Sequence, residues 1–420
     1  MRIPYGKGFL SYDGDFDAIL QSLVDEMHED KSAAEIVVDA MANPIGSDTL
    51  RMIAIGKQRC TIIISDHTRP VPSKAILPKM IEELKTANPE MEITFLVATG
   101  LHRATSVEEL REKLGDEIVD NYKIEIHDAF DPAKNVELGV LPSGAKMIVD
   151  RLAVETDLLI AEGFIEPHFF AGYSGGRKSV LPGVAARESV LANHCGEFIA
   201  APQARTGVLE DNPIHADMVA GARMARLAYI VNVVLDGEKN VVAAFAGNFE
   251  KAHEAGVNFL RGFCEVPAAP ADIVITSNNG APLDQNVYQC VKGLTAAEAT
   301  AKEGAVLIMC AELADGIGSD EFYKTMCDCE DFSALFEKFA HTPMTETIPA
   351  QWESQIMARI IANYKVIFVT RPEMKDALLK MHVGYAENLN DAIAQARALK
   401  GEDATITVVP NGVSVVVKQV

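Results

Sequence analysis

Three polar clusters carry most of the residues in this chain that could do chemistry. They are Asp66-His67-Thr68-Arg69, Gly100-Leu101-His102-Arg103, and Glu166-Pro167-His168 running into Gly172-Tyr173-Ser174-Gly175-Gly176-Arg177-Lys178. Any one alone reads as an ordinary polar loop. Each follows an apolar stretch, however, and ligands of open parallel sheets bind beyond the carboxyl ends of strands, so together they predict one crevice. The glycine-rich segment fails the phosphate-loop pattern, which needs glycine immediately before the lysine; Arg177 stands there. Pro182-Gly183 also argues against a long helix starting at Lys178, so ATP hydrolysis drops out. What remains is a backbone whose N–H groups can approach an anion, with a lysine held in it. A lysine beside an arginine in a poorly hydrated site loses basicity and becomes nucleophilic, which suits covalent attachment to a carbonyl-type group. The alternative is a pair of solvated surface cations.

Ten histidines occur. His28, His127, His253, His341 and His382 have no evident partner in the sequence and read as structural. His67 and His215 are ambiguous, the latter in a stretch, Asp211-Asn212-Pro213-Ile214-His215, that reads as a chain turn. His102, His168 and His194 lie in or near the strand-end loops, where an imidazole can carry protons or bind nickel, zinc or copper. Two could serve as acid and base while the third binds metal. His194, at the end of a short helical pattern and without a local arginine, is the best candidate ligand.

Sixty acidic against 38 basic residues give a formal charge of −22, a field that repels phosphate backbones and anionic lipid. Neither nucleic acid nor membrane is an expected partner. Against that field, Arg69, Arg103, Arg177, Lys178, Arg187 and Lys292 gather at the motifs, which points to a small anionic substrate. Arginine's planar fork suits a carboxylate, and Asp66 could hold Arg69 or take a proton itself. Structural ion pairing is the competing reading, strongest for Arg187.

The elements that must position these residues alternate apolar runs with amphipathic stretches, the pattern of strand, crossover helix and parallel strand. The expected fold is α/β: two Rossmann-like domains with mostly parallel sheets and a cleft between them. At 420 residues, 48% of them hydrophobic, the chain exceeds a single core and has ample apolar material for two. Expected strands are Thr61 to Ser65, Ile93 to Thr99, Lys123 to His127, Asp157 to Ala161 and Tyr229 to Leu235, then Asp272 to Thr276, Ala305 to Met309 and Lys365 to Val369. A helix after Thr105 shows a capping-box pattern with Glu108 and a closing Gly115. Pro-rich 266–270 suggests a boundary, giving units 1–268 and 269–420. The chain should close with strands Thr405 to Val409 and Val413 to Val417 joined by a tight turn, the last strand returning to the first unit. No 18-residue apolar run or signal-peptide order is present, so a cytoplasmic enzyme is expected. The seven cysteines lack CxxC spacing, and even the closest pair, Cys327 and Cys329, reads as reduced thiols.

Taken together, Asp66-His67-Thr68-Arg69-Pro70, Ala98-Thr99-Gly100-Leu101-His102-Arg103, Pro167-His168-Phe169-Phe170-Ala171-Gly172-Tyr173-Ser174-Gly175-Gly176-Arg177-Lys178 and Asn193-His194 resemble the nickel-dependent lactate racemase family. The likeness continues through Tyr288-Gln289-Cys290-Val291-Lys292 and Trp352, covering most of the chain in order. It implies a nickel-pincer cofactor, pyridinium-3,5-bisthiocarboxylic acid mononucleotide, linked to Lys178, with His194 as the protein's nickel ligand. It also implies His102 and His168 as acid and base, Asp66, His67, Thr68 and Arg69 beside the cofactor, and Arg69, Gln289, Lys292, Tyr288 and Trp352 around substrate. Proteins that make the cofactor would be partners. The expected reaction is racemisation of a small, lactate-like 2-hydroxy acid by reversible hydride transfer, because the C2 hydrogen beside a carboxylate is hardly acidic. Two other readings stay open: a zinc hydrolase using the three histidines, and a non-catalytic anion- or cofactor-binding protein.

Overall fold

Ile62, Ile63 and Ile64 are each essentially sealed from solvent, and their side chains alternate between two different apolar clusters. That is how a strand covered on both faces behaves, and it is why such strands read as unbroken apolar runs. The computed structural model describes residues 1–27 and 29–419, so His28 lies outside the described residues. Six strands form the first sheet, in the order Val241–Gly247, Leu227–Leu235, Leu158–Phe164, Arg59–Ser65, Glu92–Ala98 and Lys123–Ile126. All neighbours run parallel except the edge pair Leu227–Leu235 and Val241–Gly247.

A second six-stranded sheet runs Gly384–Ala386, Lys365–Val369, Ala301–Cys310, Ala271–Ser277, Ile406–Val409 and Ala18–Ile19, parallel throughout. The N-terminal strand Ala18–Ile19 thus completes the sheet of the second half. Returning the other way, Val416–Lys418 pairs with Glu265–Pro267, the segment leading out of the first half. One apolar cluster takes Phe169 and Ile199 from the first half and Val287 and Ile356 from the second, so the two are joined by a shared core.

Some expectations shift in detail. The capping box belongs to Ser106 and Glu109, one residue later than expected, because Thr105 Oγ1 is engaged with His67 Nδ1 at 3.1 Å. Gly115 does close that helix, at φ 89°. The two closing strands form but do not pair with each other: Ile406–Val409 inserts beside Ala271–Ser277, and the chain then crosses to Glu265–Pro267. Asp157 precedes its strand and uses its carboxylate to accept from Gln58 N at 3.1 Å and Arg59 N at 2.9 Å. His215 sits in the first turn of the helix Pro213–Met224, whose cap is the Asn212 side chain. His127 and His253, read from the sequence as structural, are buried between specific partners: Asp150 and Ala185 O for the first, Arg177 and Ser174 O for the second.

Candidate active site

The strand Leu158–Phe164 delivers the chain into the glycine-rich loop, which Ser174 closes by accepting from Glu166 N at 2.9 Å and donating to Phe164 O at 3.1 Å. Gly172 has φ +77°, and a Cβ there would lie 2.3 Å from Val208 O, so no other residue fits. Arg177 is 1% exposed and donates to Ala171 O at 2.8 Å and Gly175 O at 3.2 Å, tying both ends of the loop together. Its neighbour Lys178 sits half-buried in the single 3₁₀ turn Gly176–Ser179 with Nζ 5.8 Å from the Phe170 ring centre. Burial pushes this amine's pKa well below the lysine range; Arg177, Arg69 and Lys292 push the same way and Glu166 opposes them. That direction favours the uncharged amine, the form that nucleophilic attachment requires.

Phe170 is the hub of the surrounding aromatic packing. Its ring centre is 4.6 Å from that of His168 and 5.1 Å from that of His194, and the Trp352 ring centre lies 5.1 Å from that of His194. His194 caps the short helix Arg187–Asn193, which is anchored by Asn193 Nδ2 donating to Ile214 O at 3.1 Å. The imidazole is buried and its pKa is pushed down to about 3, first by burial and then by Lys178. Its Nδ1 has no hydrogen-bond partner among the described residues. A neutral ring with an unsatisfied buried nitrogen is chemically a ligand in waiting, since burying such a group unpaired costs about 1–3 kcal/mol.

His168 is also kept neutral: burial depresses its pKa well below the usual value, with Lys178, Lys292, His194 and Arg69 acting in the same direction. Its Nδ1 accepts from Ala171 N at a long 3.3 Å. His102 is different. It is 46% exposed and its Nδ1 lies 2.7 Å from Asp66 Oδ2, while Nε2 has no hydrogen-bond partner among the described residues. Burial opposes ionisation of Asp66, but hydrogen bonds from His102 and Thr68, with Arg69 nearby, hold its pKa at about 2. Thr68 spends both N–H (3.1 Å) and hydroxyl (2.6 Å) on Asp66 Oδ1. His67 turns to Thr105 and, at 3.8 Å, Glu109. The Arg69 side chain makes no hydrogen bond among the described residues and is exposed, so its fork remains available. The loop bearing His102 is held against the Lys178 turn by Gly100 N donating to Gly183 O at 2.9 Å.

The second half contributes the first two turns of the helix Val287–Glu298 and the start of Gln351–Asn363. Lys292 donates to Gln289 Oε1 at 2.6 Å, with Nζ 5.9 Å from the Phe169 ring centre. Tyr288 packs edge-on against Phe322 at 5.7 Å, and its hydroxyl faces the Trp352 indole. Gln355 Nε2 donates to Gly196 O at 2.8 Å, clamping the segment just after His194.

Of the cations flagged in the sequence, two stand apart. Arg103 is committed to Glu109 by paired contacts of 2.9 and 2.5 Å, and Arg187 is exposed at a helix start. Three contributors were not singled out. Glu166 and Phe170 were visible only as letters inside a motif. Glu353, a buried carboxyl whose pKa burial raises while Lys292 opposes the rise, could have been suspected from Gln351, Glu353, Ser354 and Gln355 interrupting an otherwise apolar helix. No set of three or more His, Cys, Asp or Glu is placed to hold a metal ion among the described residues, so the three histidines do not form the ligand triad a zinc hydrolase needs.

Comparison with known proteins bears on the whole chain. Residues 5–207 match the family described as lactate racemase N-terminal domain, and 266–417 its C-terminal domain. The lactate racemase of Thermoanaerobacterium thermosaccharolyticum is 48% identical over 423 residues, covering 100% of this chain and 99% of that protein. The lactate racemase of Lactiplantibacillus plantarum is 47% identical, covering 99% of each. The structure of the T. thermosaccharolyticum lactate racemase apoprotein superposes with TM-score 0.96 at 47% identity, covering 99% of both chains. A Thermotoga maritima protein at 19% identity and TM-score 0.66, covering 94% of this chain and 100% of its own, shares the fold. The chain therefore belongs to the lactate racemase family and is, as that membership entails, an isomerase.

Proposed function

We propose that the protein interconverts the enantiomers of lactate or a closely similar 2-hydroxy acid. The observation that carries this reading is the packing of His168, His194 and Lys178 around one phenylalanine, with free cations at the same place. In this reading Lys178, as a neutral amine, attaches the nickel-pincer nucleotide, and His194 offers an imidazole nitrogen to the nickel. The loop Asp66 to Arg69 lies beside it, with Thr68 fixing the carboxylate of Asp66. When bound, this group supplies a reversible acceptor for the hydride on C2.

Everything else falls to side chains. Arg69 and Lys292 bind the substrate carboxylate, Gln289 steers Lys292 through its 2.6 Å contact, and Trp352 and Tyr288 exclude water from the C3 side. His102 accepts the hydroxyl proton at Nε2 while Asp66 steadies the imidazolium. His168 does the same for the other enantiomer once Nδ1 carries its proton, which costs only the long contact with Ala171 N. Loss of hydride and proton leaves a planar 2-keto acid, which the cations retain until hydride returns on either face. With histidines in 1–268 and Lys292 in 269–420, closing of the two units over substrate is part of this reading.

The test uses protein from its native host, where cofactor-synthesis proteins are available. Intact mass should show an adduct of nucleotide size on Lys178 with equimolar nickel, and chiral chromatography should show each lactate enantiomer converted to the racemate. Adduct without lactate turnover would discard the substrate; equimolar zinc and no adduct would discard the mechanism.

A further inference from the structure

The loop 66–72 presents Asp66 and Arg69, and four side chains of the segment 102–113 reach it from outside. His102 meets Asp66, and Thr105 and Glu109 meet His67. Lys113 meets the backbone instead: its Nζ donates to Arg69 O at 3.1 Å and to Val71 O at 3.4 Å. The far end of the loop is fixed separately, by Ser73 Oγ donating at 2.6 Å to Glu162, a carboxyl 2% exposed near the end of the strand Leu158–Phe164.

Lys113 does not behave like an ordinary surface lysine. It shares the last turn of the helix Val107–Leu114 with Arg111, and a cation there complements the helix C-terminus. Arg111 serves on the solvent side, pairing with Asp116 at 2.8 Å and Asp120 at 2.7 Å. Lys113 is half-buried, has no carboxylate within 4 Å among the described residues, and gives its ammonium to carbonyls 44 and 42 positions upstream. Burial lowers its pKa, while Glu162 and Asp66 act the other way by favouring the charge. A cation that exchanges water for two carbonyls holds those carbonyls firmly, because charge-assisted hydrogen bonds are the strong ones.

Arg69 is the residue this serves. No hydrogen bond among the described residues fixes its guanidinium, so its place depends on its backbone. That backbone is held by Lys113 at the carbonyl and by Asp66 O, which accepts from Arg69 N at 3.3 Å.

We infer that Lys113 is a positioning residue for Arg69: by holding the Arg69 carbonyl it sets where the free guanidinium meets the substrate carboxylate. The inference rests on the proposed racemisation, in which Arg69 binds that carboxylate. Contacts that serve substrate and transition state alike change KM and leave kcat. Lys113 makes no hydrogen bond or ion pair with Asp66 or His102 among the described residues, so proton transfer is spared.

The test is steady-state kinetics of the cofactor-loaded enzyme on each lactate enantiomer, for wild type, Lys113→Met and Lys113→Arg. Lys113→Met keeps the aliphatic stem and removes the donor. It should raise KM for both enantiomers by about tenfold, the scale of a lost charge-assisted contact, with kcat within about threefold of wild type. The inhibition constant of propionate, a carboxylate without the C2 hydroxyl, should rise by a similar factor. Lys113→Arg, which keeps a charged donor, should restore KM to within about threefold. Circular dichroism and thermal melts confirm that each variant is folded; should Lys113→Met fail to fold, Lys113→Gln takes its place with the same expectation. A purely structural role would lower the melting temperature and leave KM of the folded enzyme unchanged. The inference is overturned by a wild-type KM in the folded variant, by a kcat that falls as far as KM rises, or by Lys113→Arg behaving like Lys113→Met, and each of these leaves the proposed activity standing. A wild type that racemises no 2-hydroxy acid would overturn that activity, and this inference with it.

Discussion

The two imidazoles proposed to carry protons live in different media. His102 is 46% exposed and leans on an ionised carboxylate 2.7 Å away. His168 is sunk among Lys178, Lys292, His194 and Arg69, and no carboxylate pairs with it among the described residues. A proton arriving on His102 is compensated locally, whereas one arriving on His168 adds charge to a place already positive. For a racemase the equilibrium constant is one, so kcat/KM must be equal in the two directions. The asymmetry must therefore appear as unequal kcat matched by an equally unequal KM. Steady-state kinetics on each enantiomer checks this, and identical kcat values would show that the two environments equalise once substrate and cofactor are bound.

The largest effect should come from Lys178, which both sides depend on. Lys178→Ala is expected to abolish turnover of both enantiomers and to remove any nucleotide-sized adduct from the intact mass. Next, His102→Asn and His168→Asn should each slow racemisation by about 10²- to 10⁴-fold, the usual worth of a positioned acid/base group. If either variant stays within a few-fold of wild type, that imidazole is not a proton carrier. Asp66→Asn bears on one side only: turnover should fall on the order of 10- to 100-fold, as for loss of an orienting partner, while the protein still binds cofactor. Undiminished turnover would remove Asp66 from that role.

Stability gives a smaller signal. The pKa of His215 is held at about 3 and that of His253 well below the usual value, in both cases by burial first and Arg177 second. The unfolded chain binds these protons near pH 6.5 while the folded one does not, so stability is full above that pH and is lost on acidification below it, at about 1.4 kcal/mol per unit of depression. Asp66, with its pKa lowered to about 2, loses its contribution only at more acid pH, as pH falls from its unfolded value near 4 through 2. Thermal melts of the apoprotein should thus decline between pH 6.5 and 5, before carboxylates titrate, and His253→Gln should flatten that decline. The smallest effect is expected of Arg103→Ala. Its guanidinium belongs to Glu109 at the surface, so activity should change by less than about threefold. A large loss would place Arg103 on substrate.

Much of the frame was legible because it depends on local pattern. Continuous apolar runs such as 61–65 and 365–369 identify strands covered on both faces, and these strands formed within a few residues of where they were expected. Strand pairing at the end of the chain was legible only in part. The last strand returns to the first unit as expected, but the tight turn before it does not make a hairpin: Val416–Lys418 joins Glu265–Pro267, about 150 positions away, because register and neighbour are set by which edge is open rather than by local sequence. The one-residue slip of the capping box has a similar origin: Thr105 and Ser106 are equivalent caps locally, and only the arrival of His67 occupies the first.

By itself, the amino-acid sequence determined the parallel α/β architecture, the family, and the identity of the polar groups offered at strand ends, all of which follow from side-chain period and type. Only the tertiary structure decided which of those groups are free to act on a ligand. Arg69 and Arg103 look alike in the chain, but one is left without a hydrogen-bond partner among the described residues and the other is paired with Glu109; Lys178 and Arg177 are adjacent, but Arg177 is sealed and tied to the loop's own carbonyls while Lys178 packs by the Phe170 ring. The reason is that ionisation and nucleophilicity depend on burial and on charges brought close from distant segments, and those distances exist only after the chain has folded.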